Sequence, residues 1–320
     1  MAETLPRHLL IPFAGRGSPA CRAALPTLRL ANLETLLARL TLADTDTQDE
    51  STRSPPHERA LARAAGIAAA DGCIPWAALE ARQLGIAAPN DPEGWGLVTL
   101  CNWQVGIDDV VLGDPSAIEI DAAESAALLQ AARPFFEEDG IALHPSPVPG
   151  RWLARAPIFD GLATASLDRA VGYPISQWSP LGDSARPLRR LQNEMQMLLY
   201  TQRVNDDRAA RGVPPINSFW LSGTGALKHE VAPAAVPAVS DALRETALRD
   251  DGMGWAAAWH ALDAGPVASL LAGYTGGAEV SLTLCGDRAA QRYTVQPRGL
   301  AGWARSLFDR KRASVVLESL

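Results

Sequence analysis

Short apolar runs that empty into glycine turns alternate along this chain with stretches of helical periodicity, and that alternation limits the fold more than any other feature. His8 to Phe13 is apolar and ends in Ala14-Gly15-Arg16-Gly17, while Leu28, Leu30, Leu33, Leu36, Leu37 and Leu40 follow near helical spacing. Leu97 to Cys101 and Val110 to Leu112 predict two strands paired with one another. Asp121 and Glu124 form a capping-box helix start, the helix running to Pro134. Arg151 to Arg155 alternates as a strand does, and Leu188, Leu191, Met195, Leu198 and Leu199 share one face of a helix from Pro187 to Tyr200. Ile216 to Leu221 is apolar on both faces and predicts a central strand emptying into Ser222-Gly223-Thr224-Gly225. Val280, Leu282 and Leu284 alternate with polar residues before the turn Cys285-Gly286-Asp287-Arg288. Glu58 to Ala70 reads as an alanine-rich helix, and the acidic, Thr- and Pro-rich stretch 43–57 as a flexible surface loop. Strands interleaved with helices predict an α/β fold, with a mixed, mostly parallel sheet and helices on both faces, in one domain over 1–320.

Composition narrows the partners. The 320 residues are 47% hydrophobic and 20% charged, ample material for a core. A net charge of −7 argues against nucleic acid as partner. The chain contains no apolar stretch of about 20 residues, so no membrane span is expected. Cys21, Cys73, Cys101 and Cys285 lie far apart without C-x-x-C spacing, which predicts reduced thiols and a cytoplasmic protein rather than a zinc knuckle.

Few motifs carry chemistry. Gly15-Arg16-Gly17-Ser18-Pro19-Ala20 satisfies G-x-G-x-x-[GA] after a strand, but a dinucleotide unit needs a second strand ending in an acid, and the segment that follows is helical. It reads as a turn. No two of His8, His57, His144, His229 and His260 are spaced i, i+4, so neither a metal nor another cofactor is expected. Cys101 reads as a small core thiol. The region from Leu191 to Gly225 is different in kind, because amides, arginines and aromatics feed one strand and its glycines. Gln192, Gln196, Asn205, Arg208, Arg211, Asn217, Ser222, Gly223, Thr224 and Gly225 are the candidate ligand-binding residues: backbone N–H groups of the glycine turn form a nest for a small anion, with Arg208, Arg211 or Lys228 supplying charge. The competing reading is a buried polar network tying a helix to the sheet.

The order Asn193-Glu194-x-Gln196-Met197-Leu198-Leu199, Val204-Asn205-x-x-Arg208, Gly212, Asn217-Ser218-x-Trp220-x-x-Gly223-x-Gly225, with Cys101-x-Trp103 and Arg151-Trp152 before it, resembles bacterial regulatory proteins of the RpfE type. Those are distantly similar to cofactor-independent phosphoglycerate mutases of the alkaline-phosphatase superfamily. The resemblance implies an alkaline-phosphatase-like core. The mutases' two-metal, phosphoserine chemistry needs ligands that this chain lacks. Where their first strand ends in a metal-binding aspartate, this chain has Phe13-Ala14-Gly15; where a late strand delivers Asp-His, it has Asp287-Arg288, and a guanidinium does not coordinate a cation. Ser18 and Ser54 are candidate nucleophiles by position only.

The reading that follows is a pseudoenzyme, with no catalytic residues, that regulates through a protein partner or a small anionic ligand, Arg288 standing as a fixed cation where a metal sits in the mutases. The enzyme alternative is a metal-dependent phosphomutase or phosphatase using Asp71, Asp108, Asp109, Asp263, His57 or His260. A third is a purely structural interaction module, which tolerates changes at Gly223 and Gly225.

Overall fold

The computed structural model describes residues 7–89, 91–228, 236–295 and 312–320. Eleven strands occur among them: β1 (His8–Ile11), β2 (Thr41–Thr47), β3 (Trp95–Cys101), β4 (Trp103–Val105), β5 (Val110–Leu112), β6 (Ala142–Pro145), β7 (Arg151–Arg155), β8 (Ser218–Gly225), β9 (Ala238–Val239), β10 (Ser281–Cys285) and β11 (Ala289–Thr294). With the helices between them they make a mixed α/β fold. The chain divides into two compact units, residues 1–51, 55–66 and 232–320 in the first and 52–54 with 67–231 in the second. We propose that the two nevertheless unfold as one cooperative domain over 1–320, since residues 52–54 stitch the second unit into the sequence of the first; a single calorimetric transition is the matching result.

The first unit carries a five-stranded sheet ordered β2-β11-β10-β1-β9. Alternation along the strands explains its two faces. Leu9, Ile11, Leu282 and Leu284 face the main core with Leu33, Leu36, Leu37, Trp255 and Trp259 from helices Ala31–Arg39 and Gly252–Leu262. Leu10 and Cys285 face the other way, against Ala60 and Leu61 of helix Pro56–Ala64. Helices therefore cover both faces. β1 is parallel to β10 and to β9, whereas the other six strand pairings among the described residues are antiparallel. Parallel pairing between the described strands is thus confined to β1, so the sheet is mixed but not mostly parallel as expected. The connections 106–109, 146–150 and 286–288 are too short for the crossover of a dozen residues that parallel neighbours need.

Residues 41–47, the last five of which fall within the expected loop 43–57, form edge strand β2 against β11. Edge strands solvated on both faces show no apolar alternation; the one buried residue here is Asp46, which Arg59 meets at 2.9 Å. The helix predicted for 58–70 is Pro56–Ala64, ending where Gly66 takes φ +73°. Helix Ala31–Arg39 has no cap of its own, and the buried Asp263 carboxylate supplies one by accepting from Leu33 N at 2.7 Å and Asn32 N at 3.2 Å.

On β1, His8 Nε2 lies 2.8 Å from Thr283 Oγ1, and burial together with nearby Arg292 pushes the imidazole down from 6.5 to about 4. The unfolded chain then binds a proton that the folded chain refuses between pH 6.5 and about 4, so stability falls as pH is lowered through that window. Full linkage corresponds to about 3 kcal/mol, and screening by solvent at this half-buried site reduces it to about 1–2 kcal/mol. Urea melts at pH 7 and pH 4.5 check this, with His8→Gln expected to flatten the difference by that amount.

The second unit is built on the sheet β6-β7-β3-β8, antiparallel throughout, with a separate hairpin β4-β5. Val98, Leu100, Trp152, Phe219 and Leu221 pack under helices Ala122–Glu138 and Arg186–Tyr200, while Trp95 and Leu153 meet helix Trp76–Gln83 on the opposite side. β8 is an edge strand, not a central one; it is apolar on both faces because both faces are covered. Val110–Leu112 pairs with β4 rather than β3. The Asp121/Glu124 capping box is present, but the helix continues through Pro134 to Glu138, where Phe136 is buried in the core. One missing backbone bond at Pro134 is offset by that burial.

Candidate functional site

Ten of the eleven candidate ligand residues lie in the second unit, where Arg208 and Arg211 share Glu124 and Asn205, Asn217, Gln192 and Thr224 each bond to their own neighbours. Arg208 is 1% exposed, with Nε donating to Pro214 O at 2.8 Å, Nη1 to Glu124 Oε2 at 2.8 Å and Nη2 to Ile118 O. Arg211, half-exposed, bonds the other oxygen of Glu124. Asn205 donates to Leu199 O and Ile216 O and accepts from Ile216 N, all within 2.8 Å, which ties the helix pair to the entrance of β8. Asn217 clamps the backbone of Trp103, accepting from its N at 2.7 Å and donating to its O at 2.9 Å. Gln192 is buried and reaches Phe219 O at 3.5 Å, and Gln196 stands half-buried one turn on.

The glycine run does not turn the chain. β8 continues through it, and because Trp95 pairs with Gly225 while Leu97 pairs with Ser222, two residues of β8 oppose Gly96 alone in a β-bulge. Gly223 takes φ +62° there, with Trp76 Cβ 3.1 Å from where its own Cβ would stand. Thr224 Oγ1 is buried between Thr164 Oγ1 at 2.8 Å and Leu162 O at 2.5 Å. No helix begins at the glycines, so no dipole reinforces an anion nest.

Arg288, the eleventh residue, belongs to the first unit, where parallel strands β1 and β10 end side by side. Ligands of open α/β sheets bind beyond such carboxyl ends. The turn after β1 is fixed tightly: Phe13 takes φ +56°, and the indoles of Trp255 and Trp259 donate to Phe13 O at 3.0 Å and Ala14 O at 3.2 Å. Arg16 then pairs with Asp287 of the β10 turn, whose second oxygen accepts from Gly17 N at 2.7 Å. The helix that closes the crevice is Ala313–Glu318, and just beyond it Leu320 O accepts from Arg288 N at 2.9 Å and Ala289 N at 2.7 Å. A crevice of about 260 Å³ remains, lined by Arg16, Gly17, Arg22, Glu50, Asp287 and Arg288 among others. Arg22 and Arg288 are largely exposed and each stands 3.9 Å from a carboxylate, Glu318 and Glu50.

Gly15, beyond the end of β1, has no room for a side chain. A Cβ there would lie 2.1 Å from Leu317 O. Sequence reasoning missed Arg16, Arg22 and the C-terminal helix as parts of this crevice, since nothing in their local pattern links residues some 270 positions apart. The acids and histidines weighed as metal ligands are dispersed: Asp263 caps a helix, Asp71 accepts from Arg53 N and Ser54 N, and Asp108 and Asp109 sit in the exposed β4-β5 loop. Among the described residues, no group of three or more His, Cys, Asp or Glu side chains is arranged to hold a metal ion. Nor is any helix there long and apolar enough to cross a membrane.

No family model matches the chain, and no curated protein does. Among solved structures it is similar to the cofactor-independent phosphoglycerate mutase from Thermoplasma acidophilum DSM 1728, at 13% identity over 98% of each chain with a TM-score of 0.38. It is also similar to the PH0037 protein from Pyrococcus horikoshii, at 14% identity over 92% of this chain and 88% of that one, with a TM-score of 0.40. Similarity of that depth transfers no residue role.

Proposed function

We propose that this chain is a non-catalytic regulatory protein of the cytoplasm, of the RpfE type that its sequence resembles, which binds a small anionic ligand in the crevice beyond β1 and β10. The observation that carries this reading is the crevice itself: where the resembled mutases end this strand in a metal-binding Asp-Gly the chain has Phe13-Ala14-Gly15, with no carboxylate, and arginines line the opening instead. Arg22 and Arg288 line its opening, each 3.9 Å from a carboxylate, while Arg16 and Gly17 N hold Asp287 at its floor. A guanidinium holds phosphate or carboxylate by paired hydrogen bonds without supplying the Lewis acidity that turnover of a phosphoester needs. All four cysteines are free thiols, which suits a reducing compartment.

Inorganic phosphate at a hundred times its Kd should stabilise the protein by about 2.7 kcal/mol, a rise on the order of 4 °C in Tm. Arg288→Ala should abolish the rise, and Arg211→Ala should leave it intact. Hydrolysis of p-nitrophenyl phosphate or phosphoglycerate with Mn²⁺, abolished by chelator, would establish the enzyme reading instead.

A further inference from the structure

The sequence motifs that the crevice does not use meet elsewhere. Cys101-x-Trp103, Arg151 and Asn217-Ser218 are far apart in the chain, yet strand register gathers them in the second unit. Thr99 pairs with Arg151 across β7 and with Trp220 across β8, and Cys101 pairs with Ser218. Cross-strand partners and alternate residues share a face, so Thr99, Cys101, Arg151 and Ser218 stand together. The opposite face is the apolar one that carries Val98, Leu100, Trp152 and Phe219. The Trp103 indole lies beside the Cys101 thiol, a weak acceptor at best, and the Asn217 clamp fixes its backbone.

Three polar atoms of this cluster are sealed from solvent without a hydrogen-bond partner, Thr99 Oγ1, Ser218 Oγ and Arg151 Nε, and a fourth, Trp103 Nε1, has only the weakly accepting Cys101 thiol beside it. Thr99 is 9% exposed and Ser218 fully buried. Buried polar atoms in folded proteins are nearly always bonded, so a concentration of unmet ones on adjoining strands needs a partner. The indole and guanidinium N–H groups only donate, and the hydroxyls donate or accept. Glu80 meets Arg151 Nη2 at 2.9 Å, which leaves the cluster with little net charge. What such a set matches is an oxygen able to accept several hydrogen bonds.

We propose that the Thr99 to Trp103 end of this face, whose other end meets helix Trp76–Gln83, binds a small molecule through a carboxylate or carbonyl oxygen, held by Trp103, Arg151, Thr99 and Ser218. Trp103 and Arg151 are only partly buried, so the rest of the ligand leaves toward solvent past them. None of these residues lines the crevice of the first unit, so binding here does not depend on binding there.

The test uses the full chain with ¹⁵N-labelled tryptophan, titrated with acetate and, separately, acetamide. The readout is the Trp103 indole resonance, assigned by its disappearance in Trp103→Phe. Acetate is expected to move that resonance saturably, with Kd raised at least about fivefold in Ser218→Ala and in the isosteric Thr99→Val, as loss of one hydrogen bond implies. Arg288→Ala should leave the titration unchanged. Equal response to acetamide assigns a carbonyl oxygen, and response to acetate alone a carboxylate. A resonance that neither compound moves, or a wild-type Kd in both hydroxyl variants, overturns the proposal.

Discussion

Arg208→Met is expected to lower stability by about 3–5 kcal/mol, the range for removing one partner of a buried ion pair. Methionine keeps the aliphatic bulk but leaves the Ile118 and Pro214 carbonyls without their donor and Glu124 with Arg211 as its remaining guanidinium. Urea denaturation of the variant gives the loss directly. The double variant with Glu124→Gln should recover part of it, because the glutamine buries no charge that half-exposed Arg211 must compensate alone, while it can still accept from Asp121 N. A loss below about 1 kcal/mol would mean that the pair contributes little and that Arg208 is held for another purpose, as the ligand-binding reading of the sequence has it.

Gly15→Ala should displace the C-terminal helix. The new methyl would meet Leu317 O at 2.1 Å and Leu320 Cβ at 3.0 Å, and the turn that carries it is pinned by two indole hydrogen bonds, so the helix is the part that moves. Overpacking of this kind costs about 1–3 kcal/mol. Val316 and Leu317 lose their place in the core, and Leu320 no longer accepts from Arg288 and Ala289. Amide exchange over residues 313–320 is expected to accelerate at least about tenfold while β1 and β10 keep their protection, since local opening needs only a fraction of the global free energy. Unchanged protection over 313–320 would show that the crevice accommodates a side chain after all.

Much of the architecture is legible along the chain because the signals are local. The capping box at Asp121 and Glu124, the apolar stripe of Arg186–Tyr200, and the alternation of β7 and β10 each depend on residues within a few positions of one another. Strand direction is partly legible too: loops as short as 286–288 already demand antiparallel pairing, so the mostly parallel expectation overlooks a length constraint. The glycines at 223 and 225 read as a turn because a bulge and a turn ask for the same conformational freedom, and only the partner strand distinguishes them.

The α/β class, most strand and helix positions and the absence of an acid after β1 are readable in local stretches of residues. That Arg208 is committed to Glu124, that Gly15 makes room for Leu317, and that Ser218 and Arg151 flank β3 on one face emerges only once the chain is folded. The difference is one of range. Propensity and periodicity act over a turn or two of chain, whereas the partner of a buried charge, the neighbour of a missing side chain and the register of paired strands are set by packing between segments that the sequence keeps far apart.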